Sequence, residues 1–163
     1  MIDLLNLPGV IPVDMYKDSK ALIIVAEADH VETPNCPDCN IPMHKHGTRK
    51  NKFSDTPMYA KPVRLEVLRP RFRCEACGKL AMPELQFLDD KRRATQRLVQ
   101  VVRQQCLGTT FRALADQTGV AVNTVKNIAH DLIDELESTV CYETPVIMGI
   151  DEVNLAGGYR CVI

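Results

Sequence analysis

The chain has 163 residues, 45% of them hydrophobic and 25% charged, enough for one substantial core or for two or three small units in series. No apolar run approaches the roughly 18–20 residues of a membrane span, and the opening "MIDLLNLPGVIPVD" carries acids where a signal peptide has positive charge, so a cytoplasmic protein is expected. The net charge of −1 conceals a split: residues 1–39 hold 2 Lys/Arg against 7 Asp/Glu, residues 40–107 hold 15 against 6, and residues 108–163 hold 3 against 8. A basic middle between acidic ends is an electrostatic footprint for a polyanion.

Residues 1–33 read as a lead followed by one strand, "KALIIVAEAD", rich in β-branched residues. Residues 34–90 follow as a compact unit of short strands, opened by "CPDC" and holding "CEAC". Inside it "VRLEVLR" sets Val63, Leu65 and Val67 against Arg64, Glu66 and Leu68, a half-buried strand, and Asp55-Thr56-Pro57 reads as the turn before it.

Seven cysteines cannot complete a disulfide framework, but four of them form two C-x-x-C pairs, Cys36/Cys39 and Cys74/Cys77. Thiolates at i and i+3 can share one tetrahedral metal, and two such pairs supply the four ligands of a structural zinc. Asn40 and Gly78, directly after the second cysteine of each pair, are the residue types that best tolerate the left-handed backbone of a metal-binding turn. A redox motif would instead cap a helix; Pro42 and the second pair argue against that. His44 and His46 read as surface residues of "HKHGTRKNK", and Cys106, Cys141 and Cys161 as ordinary, partly buried thiols.

From about Thr95 the apolar period changes to three and four. Thr95 is the expected N-cap of a helix burying Leu98, Val101, Val102 and Cys106 and closed by Gly108; a second helix stops at Gly119; a third, from about Asn123 to Leu136, turns Val125, Ile128, Ala129, Leu132 and Leu136 inward. "FRALADQTGVAVNTVKNIA" fits the helix-turn-helix pattern: Ala115 is small where helices cross, Gly119 permits the turn, and Leu114, Val120, Val125 and Ile128 fill the core. Residues 91–143 are therefore expected to bind double-stranded DNA. Asn123, Thr124, Lys126 and Asn127 would point out from the N-terminal end of the recognition helix, the end that enters the major groove. Arg49, Lys50 and Lys52, with Lys91, Arg92 and Arg93, would hold the phosphate backbone.

The order of these parts resembles the N-terminal portion of the ISL-three family of insertion-sequence transposases. The segments that carry the likeness are "CPDC", "FSDTPMYAKPVRLEVLRPRFRCEACG", "ALADQTGVAVNTVKNIA" and "MGIDEVNLAGGYRCVI". The resemblance implies an α+β, multi-unit fold: a small β-rich zinc-binding finger, a three-helix helix-turn-helix unit, and the first β-hairpin of a truncated ribonuclease H-like DDE domain in residues 144–163. It implies binding to the terminal inverted repeats of an element, with Asp151, at the end of the strand "VIMGID", as the first of three catalytic acids. The other two would lie beyond Ile163, and Glu152, on the opposite side of the strand, cannot replace them. Two-metal catalysis needs several converging carboxylates, so this chain is expected to bind DNA without cutting it. Magnesium would enter only with a complete catalytic domain. A free-standing zinc-finger and helix-turn-helix regulator is the alternative. Neither a membrane nor a small-molecule substrate is expected, and whether the chain forms a homo-oligomer stays open.

Overall fold

In the computed structural model, residues 5–29, 31–141, 151–155 and 158–162 are described. Strand β1 (Val10–Lys17) pairs antiparallel with β2 (Leu22–Ala28). Beyond the first cysteine pair, β3 (His44–Met58) and β4 (Lys61–Arg73) form a long antiparallel hairpin, and the two-residue β5 (Leu80–Ala81) pairs with the end of β4. The sheet order is β1-β2-β4-β3, with β2 parallel to β4. Residues 1–33 and 34–90, set apart in the sequence, thus share one sheet. The reason is register: Leu22, Ile24 and Ala26 line up beside Val63, Leu65 and Val67, and all six are buried in one cluster. Leu5, Leu7, Leu85 and Phe87 cover that face.

The hairpin turn lies at Tyr59 and Ala60, both with positive φ (51° and 56°), and not at Asp55-Thr56-Pro57 as the sequence suggested. Two left-handed residues match the twist of the flanking strands. Asp55 is displaced from the turn by a tertiary role. It is fully buried and accepts hydrogen bonds from Thr95 Oγ1 (2.7 Å), Arg97 Nε (2.7 Å) and Arg97 Nη2.

Helix α1 (Gln96–Gln105) starts where expected, with Thr95 Oγ1 accepting from Leu98 N at 3.3 Å. It buries Val99 with Leu98, Val102 and Cys106, while Val101 is half-buried, and it ends before Gly108. Helix α2 (Phe111–Thr118) is capped by Thr110 and closed by Gly119. Helix α3 (Val122–Thr139) buries Val125, Ile128 and Ala129, and Leu132 packs against the same cluster. Leu136 does not turn inward; it is 47% exposed, one helical turn past the end of that cluster.

The chain divides into two compact units, Met1–Leu132 and Ile133–Ile163. The first joins the sheet to the helices. Ser54 N donates to Arg93 O (3.0 Å) and Thr95 N to Ser54 O (3.0 Å), so the segment entering α1 pairs with β3. The second contains β6 (Asp151–Leu155) and β7 (Gly158–Val162), an antiparallel pair in which Asp151 opposes Val162. Asp151 therefore opens a described strand; the rest of "VIMGID" lies outside the described residues. No described helix is long and apolar enough to cross a membrane.

Candidate metal centre and nucleic-acid interface

Each cysteine pair sits on a tight backbone loop built the same way. Asn40 N donates to Cys36 O (2.8 Å) and Cys36 N to Ile41 O (2.8 Å); Gly78 N donates to Cys74 O (3.0 Å) and Cys74 N to Lys79 O (2.9 Å). Asn40 (φ 53°) and Gly78 (φ 73°) take the left-handed conformation expected of them, which turns the chain back so both thiols face the same point. The long hairpin carries the second loop to the first, and Met43, Phe72 and the buried Cys36 and Cys74 form a small core around the meeting point.

All four sulfurs lie within 4.8 Å of one another, with Cys36–Cys77 at 3.5 Å, Cys36–Cys39 at 3.5 Å and Cys39–Cys74 at 3.6 Å. A tetrahedron of thiolates about 2.3 Å from a zinc ion has edges of about 3.8 Å, so the set fits zinc with little adjustment. The electrostatics agree. Backbone N–H groups of Cys39 and Asp38, with help from the Cys77 and Cys39 thiols, outweigh burial and bring Cys36 down to about 6. Hydrogen bonds with Cys77, Cys36 and Cys74 push Cys39 well above the ordinary thiol range. Cys77 is pulled down by the Lys79 N–H and by Cys39, but its hydrogen bond with Cys36, burial and Cys74 carry it upward. One thiolate is tolerated in such a cluster, and a divalent cation is what lets the others ionise beside it. His44 and His46 stay on the surface, with His44 Nδ1 3.5 Å from Glu75 Oε1 and the two rings edge to face.

The helices supply a second surface. Gly119 has φ +72°, and a Cβ added there would lie 2.6 Å from Pro62 Cβ, so the turn between α2 and α3 sits directly on the tip of the finger hairpin. Ala115 is buried at the helix crossing, and Leu114, Val125 and Ile128 are at most 2% exposed. Asn123, Lys126 and Asn127 are exposed at the start of α3, and Thr124 is half-buried beside them. A cleft of about 450 Å³ lined by Lys91, Arg93, Gly119, Thr124 and Asn127 brings the N-terminal turns of α3 together with the basic segment before α1.

Not every cation named from sequence is free for a ligand. Arg92 is only 12% exposed in its side chain and pairs with Asp89 (3.3 Å) and Asp131, so it ties the entry segment to α3 while still lining the cleft. Lys50 (2.9 Å) and Lys52 (3.1 Å) both reach Glu66, which is buried although the alternation of β4 places it on the solvent face. Their heads remain half-exposed beside it. Arg49 and Arg93 are exposed. Cys106 is buried and Cys141 exposed; the side chains of Asp151 and Cys161 are not among those described.

A four-cysteine ribbon fused to a helix-turn-helix defines a zinc-finger DNA-binding protein. Residues 32–77 match the zinc-finger of transposase IS204/IS1001/IS1096/IS1165, and residues 83–133 match the helix-turn-helix domain of transposase family ISL3. The chain carries the zinc-ribbon and helix-turn-helix portions of an ISL3-family transposase. Both are DNA-binding modules, and a DDE catalytic domain is not among the matches. No curated protein and no solved structure matches the chain.

Proposed function

We propose that this chain recognises the terminal inverted repeats of an insertion sequence, as the DNA-binding portion of a DDE transposase acting in the cytoplasm. The observation that carries the reading is the cleft where the first turns of α3 meet Lys91 and Arg93. Asn123 and Asn127 read base edges, since asparagine can pair bidentately with adenine in the major groove. Thr124, Lys126, Arg93, Arg49 and the free faces of Lys50 and Lys52 hold phosphates. The zinc site is structural: it closes the far end of the finger hairpin and takes no part in chemistry. Asp151 is assigned as the first acid of a DDE set, on a hairpin of ribonuclease H type, by resemblance alone.

Gel-shift titrations at several salt concentrations test the division of labour. Lys126→Ala should weaken binding to all duplexes alike and flatten the salt dependence by about one unit of slope. Asn123→Ala should leave the slope and narrow the gap between the chosen site and random DNA. Equal loss of discrimination from both would mean that α3 does not enter the groove by its N-terminal end.

A further inference from the structure

Beyond the core, the inner face of the finger hairpin changes character. Val63, Leu65 and Val67 of β4 are buried, and the next residues on the same face are Arg69, Arg71 and Arg73. On β3 the corresponding positions run Phe53, Asn51, Arg49, so Arg49 stands directly opposite Arg69 in the ladder. Like charges at facing positions destabilise a sheet, and no carboxylate forms an ion pair with Arg49, Arg69, Arg71 or Arg73 among the described residues. The acceptor Arg69 does find is the neutral carbonyl of Pro83, through Nη2. Burial and Arg49 lower the Arg69 guanidinium from its ordinary value, with Glu84 opposing them.

Two further details show that this stripe is held in place. Arg71 faces a bulge in which His46 and Gly47 oppose it, and its Nη2 lies 3.5 Å from where a Gly47 Cβ would be; Gly47 has φ +81°. The Nε atoms of both Arg69 and Arg71 are buried without a hydrogen-bond partner.

The stripe also has a fixed relation to the helices. Asp55 and Phe53 lie on this same face, and Asp55 bonds the N-terminus of α1, so the arginines share the side of the sheet that meets the start of α1. Arg93 is bonded to Ser54, five residues along β3 from Arg49. At about 3.4 Å per residue that is roughly 17 Å, half a turn of B-DNA or about five base pairs.

We infer that Arg69 and Arg71, with Arg49, form a second contact to the DNA phosphodiester backbone, about five base pairs from the groove that α3 enters. This rests on the proposed reading of α3 as the recognition helix. The finger then clamps the backbone through an arginine face as well as being a zinc-stapled support, and it lengthens the footprint without adding base readout.

The test uses the full zinc-loaded chain on its selected duplex, with hydroxyl-radical footprinting and salt titration. Arg69→Gln/Arg71→Gln should erase protection on one flank about five base pairs from the α3 contact, lower the salt slope by about 2, and leave sequence preference intact. Arg69→Lys/Arg71→Lys, which keeps the charge, should retain most of the slope. An unchanged footprint and slope in a glutamine variant with full zinc content would overturn the inference. So would loss of binding that the lysine variant shares and that tracks lost thermal stability, because the arginines would then be structural. Asn123→Ala/Asn127→Ala separates the two readings: if it leaves sequence preference untouched, the α3 assignment fails, whatever the arginines do.

Discussion

Asp55 joins the finger to the helices, and its removal should cost more than any exposed charge in the chain. Its carboxylate is 0% exposed and accepts from Thr56 N (2.8 Å), Thr95 Oγ1 (2.7 Å) and Arg97 Nε (2.7 Å), with a second contact from Arg97 Nη2. Arg97 also donates to Leu5 O at 2.6 Å, so the guanidinium links β3, α1 and the N-terminal lead. Removing one partner of a fully buried ion pair costs about 3–5 kcal/mol. Arg97 keeps 34% of its side chain in water and recovers part of its hydration, which puts Asp55→Asn at the lower end, about 3 kcal/mol. For a unit of this size that is a fall of about 10 °C in Tm. A double-mutant cycle with Arg97→Gln, read by urea denaturation of the zinc-loaded protein, should give a coupling of about 2 kcal/mol. A coupling under about 0.5 kcal/mol would refute the claim that this pair fastens the two domains.

Zinc removal should act locally. The ribbon end has its own small cluster around Met43 and Phe72, separate from the larger sheet core of Leu22, Leu65 and Phe87, so chelation should expose amides near residues 31–48 and 70–82 to hydrogen exchange while those of β2 and α1 stay protected. Gly119→Ala places a side chain in a left-handed position and 2.6 Å from Pro62 Cβ; a loss of about 2–3 kcal/mol in denaturant melts is expected, and a neutral result would mean the turn does not rest on the hairpin. Glu66 is held below the ordinary carboxylate range by the hydrogen bond from Lys50, against burial and with help from Lys52. A depressed value stabilises the fold above that range, and the stabilisation is lost as pH falls through the folded value. Wild type should therefore exceed Glu66→Gln in thermal stability at neutral pH, with the gap closing as the pH falls below the ordinary carboxylate range.

The metal site was legible because its information is local. The spacing of each cysteine pair and the left-handed residue after it, Asn40 or Gly78, dictate the loop without reference to the rest of the chain. The helix-turn-helix was legible for a similar reason: Thr95 as a cap, Gly119 as a stop and the period of Leu114, Val125 and Ile128 act within one or two turns. What the sequence concealed was long-range. The alternation of β4 cannot say that two lysines from β3 will cover Glu66, nor can a turn-like Asp55-Thr56-Pro57 reveal that Asp55 answers an arginine 42 residues away. Arg92 looked like its neighbours in a basic run and differs in being largely buried between Asp89 and Asp131 of α3, whereas Lys91, which also reaches Asp131, stays 70% exposed. The strand added by residues 22–28 runs parallel to β4, a pairing with no turn chemistry to announce it.

The central claim is that the first turns of α3, set beside Arg93 and supported by a zinc-stapled finger, read a DNA sequence. The direct measurement is selection from a random duplex library by the zinc-loaded chain, run in parallel with the Asn123→Ala/Asn127→Ala variant. The account predicts one enriched motif for the wild type and a degraded motif for the variant, with binding to bulk DNA retained. No enrichment by the wild type, or the same motif from both proteins, would contradict it.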